Sequence, residues 1–453
     1  MNLSRISFRG NFLLLSRVLQ LSSSRTVQLK YSRCQLRGFQ TTAKMPVDKT
    51  LFGVETDVVN LVKGAPGIRH LRLATDIIQK ATQHLFSLDS VKDDSYVLQY
   101  GPRLGSTHAR DSIAKFLSEG YGDEVKGDNI VITSGATNGL AMACTHFFKS
   151  GDVVFVEDPS YFIAINMLKQ DMGMKVIPVP TTEEGIDIDT YEKLLEQHCP
   201  SGKVTDTRPF RAMLYMIPTY HNPRGYILPP ESCKRLVALA RKYDVLNFSE
   251  DVYNFLHFDV DTRAPPRFLT YDKPSDPDYK GHTISNCTIS KILSPGLRLG
   301  WWETSPRIVN LIFKSNILWG AGCSNHYASE IVASAIDLGL QQSHIKTMNR
   351  EYQQKIANVY ALMKEQFPEG VKFKHLQGGY FFWIEMPENW NGTEVAKLAL
   401  DKYKVQVLPG ISCSAAGNYS NCLRMSIAYQ DEDVLKEGAH RLAEALKHYK
   451  SKQ

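Results

Sequence analysis

The sequence has no apolar run approaching the ~18–20 residues of a membrane-spanning helix, so no helical membrane anchor and no membrane partner are expected. It has no C-x-x-C pair and no Cys/His spacing of a metal site. Its eight cysteines (34, 144, 199, 233, 287, 323, 413 and 422) read as reduced thiols, several of them inside apolar runs, and no metal centre is expected. It has no acidic residue before Asp48, whereas Arg5, Arg9, Arg17, Arg25, Lys30, Arg33, Arg37 and Lys44 all precede it. Removing those eight charges from the formal net charge of +6 leaves −2 for the remainder, so the basic excess belongs to the leader and not to a nucleic-acid surface. No internal repeat or low-complexity segment follows, which excludes solenoid and fibrous architectures. What is there is a soluble globular composition, 43% hydrophobic and 22% charged, in a chain of 453 residues, long enough for two domains.

The Arg-, Ser- and Leu-rich, acid-free leader, residues 1–44, has the composition of a mitochondrial transit peptide. The stretch Arg37-Gly-Phe-Gln40 places an arginine as a matrix-peptidase site does, and a start at Met45 would give a leaderless cytosolic form. The body divides into an arm (45–75), a large domain (76–320) and a smaller C-terminal domain (321–453).

Within the large domain, short apolar runs at 129–133, 152–156, 175–179, 212–217, 245–248, 282–289 and 298–303 alternate with helical patterns near 137–148, 160–170, 191–197 and 230–243. The alternation predicts an α/β domain with a mostly parallel, seven-stranded sheet covered by helices on both faces. Residues 50–68 read as loop and 259–279, with four prolines, as a surface insertion. A helical stretch to Phe367, strands at 378–385, 405–407 and 423–426, and a last helix from Asp431 make the small domain α+β. In such sheets ligands sit beyond the carboxyl ends of the strands.

Chemistry collects at those ends. The stretch Thr288-Ile-Ser-Lys291-Ile-Leu-Ser-Pro-Gly-Leu-Arg298 sets a lysine among hydroxyls with an arginine seven positions on. A lysine amine forms a Schiff base with an aldehyde, and an arginine fork with neighbouring hydroxyls suits phosphate. Aldehyde and phosphate on one molecule indicate pyridoxal 5'-phosphate. Ser134-Gly135-Ala136 follows the first run and opens a helix, either a phosphate cradle or a plain capped turn. Tyr161 follows the second run, where a ring stacks on a flat cofactor or simply packs. Asn222 lies in a turn after the fourth run. Glu250 and Asp251 end the fifth, where a carboxylate either protonates a pyridine nitrogen or caps a helix. Tyr253 follows them.

At these residues, and in Leu98-Gln-Tyr100-Gly-Pro-x-x-Gly105, Asn222-Pro-x-Gly225, the segment from Ser290 to Gly300, Leu408-Pro-Gly-x-Ser412 and Asn421-Cys-Leu-Arg424-Met-Ser426, the chain resembles the fold-type I pyridoxal-phosphate enzymes. The likeness is to the class I/II aminotransferases, in the branch handling 2-aminoadipate, kynurenine and aromatic amino acids, and runs from about Asn60 to the C-terminus. It implies that Lys291 forms the internal aldimine and then moves the proton between Cα and C4' of the cofactor. It implies phosphate contacts from Arg298, Thr288, Ser290 and the Ser134, Gly135 and Ala136 amides. Tyr161 would stack on the ring, Asn222 and Tyr253 would bind its hydroxyl, and Arg424 would take the substrate carboxylate. Gly64 would close over substrate, and Tyr100 would reach the neighbouring subunit's phosphate in a homodimer. The pattern's usual aspartate is replaced by Glu250, so Glu250 faces the pyridine nitrogen, or Asp251 replaces it, or the nitrogen is less well protonated. The stretch from Gly64 to His70 also lacks the Asp/Asn and Leu-Pro usual in this branch.

The implied activity is transamination between an L-amino acid and a 2-oxo acid such as 2-oxoglutarate. The alternatives are another reaction of the same cofactor, such as β-elimination by a lyase, or a weakly active or non-catalytic binding protein. The regulators that share this fold carry a DNA-binding domain ahead of it, where this sequence has the basic leader.

Overall fold

The computed structural model of the protein describes residues 57–453 apart from Gly322. The leader 1–44, its Arg37 site, Met45 and the beginning of the arm lie outside the described residues. The strands in chain order are β1 (Val59–Asn60), β2 (Ile130–Thr133), β3 (Val153–Asp158), β4 (Lys175–Thr182), β5 (Gly185–Ile186), β6 (Ala212–Met216), β7 (Val245–Glu250), β8 (Thr283–Thr288) and β9 (Gly300–Thr304). After a helical stretch come β10 (Phe381–Glu385), β11 (Val405–Gln406), β12 (Leu408–Pro409) and β13 (Cys422–Ser426).

Eight of these form one sheet in the order β2-β9-β8-β7-β6-β3-β4-β5. Neighbours from β8 to β4 are parallel; β9 runs antiparallel between β8 and β2, and β5 antiparallel to β4. All seven expected runs are strands of this sheet. The count of seven becomes eight because β5 is a two-residue hairpin return, too short to show any period. Strand alternation explains why the runs are continuously apolar. Val154 and Val156 of β3, with Met213 and Tyr215 of β6, enter the core on one face. Val153, Phe155, Leu214 and Met216 enter a second core on the other. Both faces are therefore dry, and each large apolar side chain so buried contributes roughly 1.5–3 kcal/mol. Helices Ala136–Phe147, Ile188–His198 and Pro230–Tyr243 occur where the 3.6-residue pattern placed them, and the one expected at 160–170 is a helix Phe162–Asn166 running into a π-helical turn.

The C-terminal part is an antiparallel sheet, β10-β13-β12, with helix Gly392–Tyr403 against β12 and β13 and helices Leu340–Gln366 and Glu432–Lys450 packed on each other. Two expectations change here and in the large sheet. The stretch read as loop contains β1, which pairs in parallel with β11 through Val59 opposite Val405. The proline-rich 259–279 segment is not merely superficial. Phe268 is buried, Arg267 is held between Glu303 of β9 and Asp123, and Asp272 pairs with Arg241 at 2.7 Å. Prolines limit regular structure in this segment to one short 3-10 turn, Phe268–Tyr271, but its Arg267 and Asp272 find buried partners on the sheet and helix beneath.

Candidate active site

The carboxyl ends of β2, β3, β6, β7 and β8 share one edge of the sheet. Because β9 is antiparallel, its amino end, preceded by Arg298, meets them there. A cavity of about 350 Å³ opens at this edge beneath the segment 62–64. It is lined by Gly64, Ala136, Tyr161, Asn222, Glu250, Tyr253, Thr288, Ser290, Lys291, Arg298 and Arg424, all singled out from sequence. Ser134, Gly135 and Tyr100 do not line it.

At one end the helix Ala136–Phe147 begins without a side-chain cap, so its first N–H groups, those of Ala136 and Thr137, face the cavity as an anion site. Gly135 has φ +91°, and a Cβ there would lie 2.7 Å from Arg298 Nη2; only glycine fits. Arg298 itself adopts φ +48°, its carbonyl held by Asn325 Nδ2 at 2.5 Å, and its Nη2 donates to the Ser134 carbonyl at 3.3 Å. Ser134 is spent elsewhere. Its N–H donates to Asn138 Oδ1 at 3.1 Å and its hydroxyl to the Ser324 carbonyl at 2.7 Å, so its amide is withdrawn from the anion end. The Thr288 and Ser290 hydroxyls lie 2.9 Å apart at the same end.

In the middle, Lys291 Nζ donates to the Gly64 carbonyl at 2.6 Å. Burial first, then the Arg424 and Arg298 charges, bring its pKa down to about 8, against a smaller opposing pull from Glu250. A useful fraction is therefore neutral near physiological pH. Glu250 and Asp251 are neighbours on β7 and its end, so they point to opposite faces. Glu250 lines the cavity, and burial pushes its carboxyl up to about 8. Asp251 instead accepts from the Ser249 hydroxyl at 2.9 Å and the Ser285 hydroxyl at 2.5 Å, turned away from the cavity.

The far wall comes from β13. Leu423 and Met425 are buried in the core, so the alternate residues Arg424 and Ser426 face the segment 61–64. Ser426 fastens that segment through Leu61 and Lys63 carbonyls at 2.7 Å each. Arg424 donates to Asn222 Oδ1 at 3.0 Å and to the Val62 carbonyl at 2.8 Å, both uncharged, and its buried Nε has no partner among the described residues. Its guanidinium lies 4.1 Å from the Phe381 ring centre, and Phe381 Cζ would be 2.5 Å from a Cβ on Gly64.

Tyr215, Ile217, Phe162 and Ile163 also line the cavity, and sequence reasoning did not single them out. The first two are alternate positions of β6 and the turn after it, ordinary apolar residues by pattern, and nothing local marks them. Tyr100 is 80% exposed and stands outside this cavity.

Over residues 56–442 the sequence matches the family described as aminotransferase class I and II. Aromatic-amino-acid aminotransferase 1 of Thermococcus litoralis is 28% identical over 397 residues, 87% of this chain and 89% of that protein. YjiR of Escherichia coli, described as an uncharacterized HTH-type transcriptional regulator, is 31% identical over 353 residues, 77% of this chain and 70% of its own length. The solved Pyrococcus horikoshii kynurenine aminotransferase, in complex with PMP, KYN and KYA, superposes with a TM-score of 0.75 at 27% identity, covering 89% of this chain and 95% of that one. With the mostly parallel sheet, the small C-terminal sheet and this match over most of its length, the chain belongs to the class I and II aminotransferases, a family that uses pyridoxal phosphate.

Proposed function

We propose that the protein is a transaminase exchanging an amino group between an L-amino acid of the 2-aminoadipate, kynurenine or aromatic type and a 2-oxo acid such as 2-oxoglutarate, with pyridoxal 5'-phosphate bound at Lys291. The observation that carries this is the convergence of Lys291, Glu250 and Arg424 on one cavity. The residues present fit the cofactor. An uncapped helix start beside Arg298 and two hydroxyls suits its phosphate, and a lysine with a lowered pKa suits its aldehyde. When bound, the cofactor supplies an aldehyde for the substrate amine and a ring that withdraws electrons from Cα. Lys291 Nζ then removes and returns the proton at substrate Cα. Arg424, a buried cation without a carboxylate partner among the described residues, fixes the substrate carboxylate and so orients the bond to be broken. Gly64 and its neighbours exclude water from above.

The apolar walls given by Phe162, Ile163 and Phe381 support a bulky side chain, as do the aromatic and kynurenine activities for which the relatives are named. Leu98 and Tyr100, 69% and 80% exposed, support a homodimer in which this loop meets a second copy, to be tested by sedimentation equilibrium of the wild type against Tyr100→Arg. The acid-free basic leader supports residence in the mitochondrial matrix, to be tested by import of the full chain into isolated mitochondria.

The deciding experiment is the absorbance of leaderless protein loaded with pyridoxal phosphate. The visible band falls on adding aminoadipate, kynurenine or phenylalanine and returns with 2-oxoglutarate. Lys291→Ala abolishes the response, and a visible band that survives this change overturns the assignment. A loaded protein that no amino acid alters favours elimination or a non-catalytic role, for which the raised Glu250 pKa is the supporting observation.

A further inference from the structure

Glu250 ends β7, and its register partner on β8 is Asn286. Asn286 Nδ2 donates to Glu250 Oε1 at 3.1 Å and to the Ala136 carbonyl at 3.0 Å, so both of its protons are used. Reversing the amide would set its oxygen against two acceptors, which leaves one workable orientation. The other end agrees. Among the described residues Asn286 Oδ1 is buried and unpaired, and so is Nε1 of Trp302, the residue opposite it on β9. A Cβ on Gly139 would lie 2.2 Å from the first atom and 2.8 Å from the second, so the helix must pass over them as bare backbone. The amide is thus clamped between a strand, a helix and an indole, with its donor end on the carboxyl. No other side chain among the described residues donates to Glu250.

We propose that Asn286 is a positioning residue: it holds one oxygen of Glu250 so that the carboxylate stays ionised with its second oxygen turned to the pyridine nitrogen of the bound cofactor. This rests on the reading that the cavity takes pyridoxal phosphate. The proton at issue is the one shared by Glu250 and the ring nitrogen, and a donor to Glu250 favours its residence on nitrogen. Asn286 opposes the effect of burial, which alone favours the neutral acid. Of the charged groups nearby, Asp251 acts on Glu250 only through its charge, from the opposite face of β7, and Lys291 acts from the cavity, with the phenols of Tyr161, Tyr215 and Tyr253 around it.

The test loads wild type, Asn286→Leu, Asn286→Ala, Glu250→Gln and the double variant Glu250→Gln/Asn286→Leu with cofactor labelled with ¹⁵N in the ring. The ¹⁵N chemical shift is followed against pH. Removing the Asn286 donor lowers the midpoint of nitrogen protonation by about one unit, the worth of one hydrogen bond to a charged group. The cofactor stays bound, and kcat falls while KM holds. The same change made on top of Glu250→Gln has no further effect, because the group through which Asn286 acts is gone. If leucine does not fold, alanine gives the same comparison. An unchanged midpoint, or an equal effect in the Glu250→Gln background, overturns the proposal. Wild type that captures no cofactor overturns the underlying reading as well, and is recognised by the missing visible band.

Discussion

Arg424→Leu removes the feature on which substrate orientation depends. The guanidinium is 2% exposed, and its two hydrogen bonds, at 3.0 and 2.8 Å, go to uncharged acceptors. A buried cation so placed lacks an anion, and a substrate carboxylate supplies one through two charge-assisted bonds. At about 1.5–3 kcal/mol for each bond to a charged group, their loss costs about 3–6 kcal/mol, or roughly 10²–10⁴ in kcat/KM. The assay is single-turnover loss of the visible band with phenylalanine and, beside it, phenylethylamine, which has the same side chain and no carboxylate. The amine's rate changes by less than about threefold, since it never used the arginine. Arg424 also helps hold the Lys291 pKa down, so both substrates are compared at the pH optimum of each variant. A loss below about tenfold for the amino acid, or an equal loss for the amine, refutes the reasoning.

Glu250→Gln changes how stability depends on pH. The folded carboxyl has a pKa near 8 against an ordinary 4.5, so its contribution is fully present below about 4.5 and is lost as pH rises towards 8. The cofactor-free variant should therefore melt above wild type at pH 8, by roughly 2–5 kcal/mol, with a flatter profile from pH 5; parallel melting curves would count against a buried Glu250. Gly135→Ala forces a side chain into φ +91° and against Arg298. It is expected to cost about 1–3 kcal/mol of stability and to weaken cofactor binding about tenfold or more, read by fluorescence titration; unaltered affinity would remove Arg298 from the phosphate site.

The parts legible in sequence were those with a local cause. Strands β2, β3, β6, β7 and β8 are buried on both faces, and such strands must be written as uninterrupted apolar runs. The rule that ligands sit at carboxyl strand ends then directed attention to Lys291, Glu250, Asn222 and Tyr161 without any knowledge of strand order. The eighth strand was invisible because two residues carry no period. The donation of the Ser134 amide to Asn138 was not legible, because it depends on the exact path of one turn.

What the sequence by itself determined is the layered α/β plan and the identity of the groups at one edge of it, because hydrophobic period and strand-end chemistry are written within a few neighbouring residues. Only the tertiary structure decided which groups meet. The choice between Glu250 and Asp251 turns on which face of β7 carries the cavity and which carries Ser249 and Ser285. The pairing of β1 with β11 brings Val59 to Val405 across most of the chain. Arg424 meets Asn222 from a different sheet, at a sequence distance of 202 residues. The hold of Asn286 on Glu250 exists only through the register of β7 with β8. Register and face are properties of packed sheets, and a shift of one residue would turn every one of these side chains away.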